Sequence, residues 1–154
     1  MFDDVVDFVR DIYGKEGIIP LHNPLFIGNE KQYLNECIDS TFVSSVGSFV
    51  NKFEDLMSQI TQTKKTTAVV NGTAALQVGL RLVGVKENDE VITQALTFVA
   101  TANAIVYNNA HPVFLDVDID TMGLSANAVS DFLEKVGDLR DDGCYNKKTG
   151  RKIS

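Results

Sequence analysis

The sequence predicts an α/β fold. Three observations carry that prediction. From residue 67 onward, apolar runs of strand length alternate with stretches of helical periodicity, and glycine, asparagine and proline punctuate the switches. The composition, 44% hydrophobic and 23% charged, is that of an ordinary globular chain. A length of 154 residues is enough for one domain with a core and hardly for two.

The elements follow in order. Residues 3–13 place Val5, Val6, Phe8, Val9 and Ile12 roughly on one face of a short helix. "GKEGIIPLHNPLFIGNE" breaks that helix with glycines and prolines and reads as an extended connector. A helix is expected from Glu30 to Ser40 through Tyr33, Leu34, Cys37 and Ile38. After the flexible loop "STFVSSVGS", another runs from Phe49 to Ile60 through Val50, Phe53, Leu56 and Met57. Beyond the polar "TQTKKT", the rhythm is strand ("TAVV"), helix (Thr73 to Val83), strand ("DEVIT"), helix (Phe98 to Tyr107), strand ("HPVFLDVD") and helix (Ala126 to Val136). Strands spaced by single helices predict parallel crossovers. The tail "GDLRDDGCYNKKTGRKIS" reads as a hairpin or loop. The chain thus divides at 1–61, helices with a loop, and 62–154, an α/β segment.

The formal charge of −7 argues against a nucleic-acid or anionic-membrane surface, though not against a small anion held by local donors. The acidic N-terminus lacks the basic region and apolar core of a secretory signal, and no run reaches membrane-spanning length, so a cytoplasmic location is expected. Cys37 and Cys144 are far apart and read as reduced thiols. His22 and His111 stand alone, so no metal site is expected.

The chemistry concentrates at "AVVNGTAALQVGL", where an apolar run delivers Gly72-Thr73 to the first turn of a helix. Free backbone N–H groups and the helix dipole welcome an anion there, Gly72 permits close approach, and the Thr73 hydroxyl can donate. Equally, Gly72 can make the turn and Thr73 cap the helix with nothing bound. The turn matches neither a Walker loop nor a GxGxxG fingerprint. Phe98, taken alone, is the first apolar residue of a helix. Phe42, Val43, Ser44 and Ser45 are either a plain surface loop or a set of hydroxyls and amides suited to a diphosphate or ribose. Asp116 and Asp118 could pair at a strand end for acid/base work, or be structural.

Five segments, in order, resemble one family: "IPLHNPLFIGNE", "STFVSSVGSFVNKFE", "VVNGTAALQVGL", "NDEVITQALTFVATANAI" and "HPVFLDVDIDTMGLS". They are similar to the DegT/DnrJ/EryC1/StrS sugar aminotransferases, fold-type-I enzymes that use pyridoxal 5'-phosphate (PLP). The likeness runs from about residue 18 to 130. "FDDVVDFVRDIYGKEG" and "CIDSTFVSSVG" look most like the branch acting on UDP-linked 4-keto-6-deoxy amino sugars, of the legionaminic acid and bacillosamine type. The resemblance implies that Gly72, Thr73 and Ala74 seat the cofactor phosphate and that Phe98 stacks on the pyridoxal ring. It implies further that Phe42–Ser45 lines a nucleotide-sugar pocket and that "FLDVD" is structural. The fold it implies is the N-terminal part of the large domain, with an incomplete sheet.

A transaminase needs a Schiff-base lysine and a carboxylate against the pyridine nitrogen. In the family both lie downstream of these motifs. None of the lysines here, Lys15 included, sits in the family's lysine motif, so no catalytic residue is assigned. The chain reads as an N-terminal portion, whether a shortened chain, an interrupted gene or a separately encoded half. The complete enzyme would move an amino group, from glutamate, onto a nucleotide-linked 4-keto sugar for surface polysaccharide, and would be a homodimer. The alternative is a non-catalytic remnant that keeps the fold to bind a partner.

Overall fold

The structure, a computed structural model, describes residues 2–14 and 16–154; Lys15 lies outside the described residues. It falls into two compact units, one ending at Thr66 and one spanning Thr67–Ser154.

The first unit holds three helices, α1 (Asp3–Tyr13), α2 (Glu30–Asp39) and α3 (Ser48–Thr61). Asp3 and Asp4 in the first turn of α1 and Arg10 in its last complement the helix dipole. Tyr33 of α2 meets Phe49 of α3 with ring centroids 5.2 Å apart and planes tilted by 46°, and Lys52 Nζ lies 5.3 Å from the Tyr33 centroid. Such ring pairs and cation contacts add directional attraction to modest apolar burial. None of the described residues on these helices is fully buried.

The second unit is α/β. Its elements are α4 (Gly72–Leu82), β1 (Glu90–Gln94), α5 (Val99–Val106), β2 (His111–Leu115), α6 (Ala126–Val136), β3 (Gly137–Arg140), β4 (Gly143–Asn146) and β5 (Lys152–Ile153). Asn71 and Ser125 cap α4 and α6, their side-chain oxygens accepting the amides of Ala74 at 2.9 Å and Ala128 at 3.2 Å. The strands form one mixed sheet in the order β2-β1-β5-β4-β3. β1 and β2 run parallel from Glu90↔His111 to Gln94↔Leu115, with α5 as the crossover. Val85, Val91, Ile105 and Ala110 form the core, with Leu80 of α4 packed against it.

Two expectations change. "TAVV" forms no strand, and Val70 is 88% exposed. Apolar, β-branched residues favour a strand only where a neighbouring strand takes up their amides and carbonyls. "HPVFLDVD" is a strand only to Leu115, and Val117 then makes an isolated antiparallel bridge to Leu124.

The tail does form a hairpin, β3–β4, and also joins the main sheet. β5 lies between β1 and β4, parallel to the first and antiparallel to the second. Gly143 opens β4 at φ +145°, a backbone conformation that favours glycine, and the atoms nearest to a Cβ there belong to the flexible Lys152 side chain. Docking rests on Glu90, 3% exposed, whose carboxylate accepts Asn146 Nδ2 at 2.8 Å and Thr149 Oγ1 at 2.7 Å, with Arg151 Nη1 at 3.9 Å.

Candidate cofactor-phosphate turn and substrate-side loop

At the start of α4 the backbone turns at Asn71, which is fully extended (φ −165°, ψ 173°), and Gly72 and Thr73 enter the helix. The cap is therefore Asn71, not Thr73. The Ala74 amide is engaged by Asn71 Oδ1, and the Ala75 amide by Asn71 O at 3.1 Å. Among the described residues, nothing accepts from the Gly72 and Thr73 amides or pairs with the Thr73 hydroxyl. Of the three residues expected to seat a phosphate, two present free donors and Ala74 does not.

This arrangement fits a phosphate group. A Cβ built on Gly72 would meet nothing within 4 Å, and its φ lies outside the left-handed region. Neither packing nor backbone requires glycine there, whereas a ligand closing on the amides would. The α4 N-terminus adds partial positive charge to two amides and one hydroxyl, a donor set matched to phosphate oxygens.

Phe98 is the N-cap residue of α5 (φ −69°, ψ 139°) and is 78% exposed. Its ring therefore adds nothing to the core. The turn around it is held by the main chain and by neighbours: Thr101 N donates to Phe98 O at 3.0 Å, and the Thr97 and Thr101 hydroxyls lie 3.2 Å apart. Gln94, at the end of β1, donates through Nε2 to Leu96 O, fixing the approach to the ring.

In the first unit, Phe42–Ser45 form a loop between α2 and α3. Phe42, Val43 and Ser44 line a cavity of about 280 Å³, with Cys37, Ser40 and Phe49 among the other walls; Ser45 is not on its wall. Ser44 Oγ is already used, accepting the Val46 amide at 3.3 Å, and Ser40 Oγ accepts Phe42 N at 3.4 Å. The exposed Phe42 and Val43 side chains, 63% and 72% accessible, are the apolar part of this surface.

Asp116 and Asp118 lie beyond the end of β2. Ser125 N donates to Asp116 O, Asp118 N donates to Gly123 O, and Met122 N donates to Asp118 O, so both residues are tied through their main chains into the 116–125 turn. The residue that inspection of the sequence missed is Asn108. It follows α5, is 5% exposed, and hydrogen-bonds to both α4 and α5. In sequence it is one of two adjacent asparagines after a helix, which reads as turn chemistry.

With this geometry in place, the similarity to known proteins is informative. The model of the DegT/DnrJ/EryC1/StrS aminotransferase family matches residues 26–136. The chain belongs to this family. GDP-perosamine synthase of Escherichia coli O157:H7 is 43% identical over 118 residues, covering 77% of this chain and 32% of that protein. Among solved structures, the aminotransferase from Psychrobacter cryohalolentis aligns with TM-score 0.66 and 30% identity, over 73% of this chain and 29% of that one. NtdA of Bacillus subtilis, solved with bound cofactor PMP (pyridoxamine phosphate), aligns with TM-score 0.62 and 25% identity, over 70% of this chain and 25% of that one. The fold is that of PLP-dependent aminotransferases. The chain spans about a third of the length of the curated relatives it matches.

Proposed function

We propose that this chain carries the cofactor-phosphate turn and ring-stacking residue of a PLP-dependent aminotransferase acting on a nucleotide-linked 4-keto sugar in surface-polysaccharide biosynthesis. The observation that supports this most is the pair of free amides at Gly72-Thr73, joined by the Thr73 hydroxyl at the N-terminus of α4, in a member of an aminotransferase family. Gly72 and Thr73 would hold the phosphate, and the exposed Phe98 ring would cover one face of the pyridine. Ala74 would contribute through the helix dipole, its own amide being capped. Bound PLP supplies an electron sink and a carbonyl carbon that accepts and gives up an amino group.

In this reading 62–154 is the cofactor side and 1–61 the substrate side, where Phe42, Val43, Ser44 and Ser45 meet the sugar nucleotide. Glutamate is the amino donor, the complete enzyme is a cytoplasmic homodimer, and the lysine that holds the cofactor is not supplied by this chain. The motifs in 1–61 favour a UDP-linked sugar, whereas the E. coli relative is named for a GDP-linked one. Competition of UDP and GDP for the full chain decides between them.

The primary test titrates the full chain with PLP and with pyridoxal, which lacks the phosphate, following cofactor absorbance. PLP is expected to bind at least tenfold tighter. Thr73→Val is expected to weaken PLP about tenfold, the scale of one charge-assisted hydrogen bond. Gly72→Ala is the sharper variant, because its methyl meets only open space in the chain and can be felt only by a ligand. Equal binding of pyridoxal and PLP, or an unaffected Gly72→Ala, overturns the assignment. Borohydride reduction followed by peptide mapping should label lysines only sporadically; a stoichiometric adduct on one lysine would show that the chain supplies the Schiff-base residue after all.

A further inference from the structure

We infer that Asn108, together with Arg81, is a positioning residue that locks α4 to α5 and so sets the spacing between the Gly72-Thr73 turn and Phe98. The use of those two features rests on the function proposed above; the lock itself is a matter of geometry.

Asn108 spends its whole donor capacity on the two helices. Its Nδ2 donates to Ala104 O of α5 at 2.9 Å and to Gln77 O of α4 at 3.1 Å. Its Oδ1 accepts Arg81 Nε of α4 at 3.0 Å. Gln77 Nε2 returns a longer contact to Tyr107 O, at 3.5 Å. Gln77 and Arg81 are four residues apart, so they share one face of α4, and that is the face turned to α5. Ala104 O is one of the carbonyls a helix leaves unpaired at its C-terminus, so the bond to it also closes α5.

The location gives this network its effect. The candidate phosphate turn is the first turn of α4, and Phe98 caps the start of α5. A helix is stiff over the two or three turns involved, so fixing the C-terminal parts of α4 and α5 against each other fixes their N-terminal ends as well. Apolar packing alone does not set that relation. The core residues contributed by these helices are Ala104, Ile105 and the adjoining Leu80, and apolar contacts are not directional. A buried amide with three bonds is directional, and it is costly to leave unsatisfied. A ligand held by phosphate at one helix start and by its ring at the other needs that distance constant.

The test uses the full chain and two variants. Asn108→Leu keeps the side-chain size and removes all three bonds. Arg81→Met removes one bond from an exposed residue, keeps the aliphatic stem, and does not threaten folding. Hydrogen exchange by mass spectrometry is compared for peptides covering 71–76, 96–101, and the β1 and β2 strands. Exchange at 71–76 and 96–101 is expected to rise at least fivefold in Asn108→Leu and less in Arg81→Met, with the strands unchanged in Arg81→Met. The PLP dissociation constant is expected to rise about tenfold in Asn108→Leu, with a shifted absorption maximum. Unchanged exchange at both helix starts in the two variants overturns the inference, as does an equal rise in every peptide. If the parent chain shows no phosphate-dependent PLP binding, the proposed function fails, and the exchange data still decide the lock.

Discussion

Tyr145 illustrates what a single exposed contact does. Its hydroxyl donates to Asp142 Oδ2 at 2.7 Å, and Arg140 lies over its ring at 4.1 Å from the centroid. The hydrogen bond to Tyr145 holds the Asp142 carboxyl below the usual aspartate range, and the same bond raises Tyr145 above the usual tyrosine range. The two shifts act at opposite ends of the pH scale. Asp142, with its folded pKa depressed, contributes stability above its unfolded pKa and loses it as pH falls through the folded value. Tyr145, with its folded pKa raised, contributes below its unfolded pKa and loses it as pH rises through the folded value. The hairpin turn is thus held at neutral pH and loosened by strong acid or alkali. In a spectrophotometric titration Tyr145 should ionise above the usual tyrosine range, and Tyr145→Phe should remove that late step. A Tyr145→Phe profile identical to the parent's would contradict the pairing.

At the scale of elements, Glu90 is the residue on which hairpin docking depends. Glu90→Ala leaves Asn146 Nδ2 and Thr149 Oγ1 without their acceptor, and Asn146 is itself buried. The expected cost is about 2 kcal/mol, the usual penalty for a stranded buried donor. Chemical denaturation should read that loss, and faster exchange should be confined first to β4 and β5. Little of this was legible in the sequence. The helices of the described residues were, because apolar periodicity is a local signal, although the cap of α4 is Asn71 and not the expected Thr73. The parallel β1–β2 pair was also legible, from the alternation of strand and helix. "TAVV" misled because its apolar character is local while strand formation needs a distant partner. β5 escaped because a two-residue strand has no pattern of its own; its place is set by Glu90, far away in sequence. The candidate site divides the same way. Gly72-Thr73 and Phe98 stand in recognisable motifs, while Asn108 acquires its role only when α4 and α5 meet.

Across the whole molecule, exposed apolar residues outnumber buried ones among those described. The buried hydrophobic set is Val85, Val91, Ala104, Ile105, Ala110 and Val136. Against it, Phe8 is 65% exposed, Leu21 92%, Leu82 82% and Leu139 86%, and the apolar face of α1 is open at Val5, Val6 and Ile12. Water penalises such surface, and self-association relieves the penalty. The purified chain is therefore expected to elute as oligomer or aggregate and to enhance the fluorescence of a hydrophobic dye at neutral pH. A monodisperse monomer by light scattering, with a cooperative melt, would refute this. Among the described residues, Ile105 is the largest fully buried side chain.

The place of β5 has a consequence for the order of events during synthesis. Its two residues are translated after β1, β2, β3 and β4, yet they sit between β1 and β4. Until they leave the ribosome, the parallel pair and the hairpin can form only as separate pieces, each with an unzipped margin of open amides and carbonyls. Joining the parallel pair to the hairpin thus takes an insertion, and in the interval before it the nascent chain is open to capture by a chaperone or by another nascent copy.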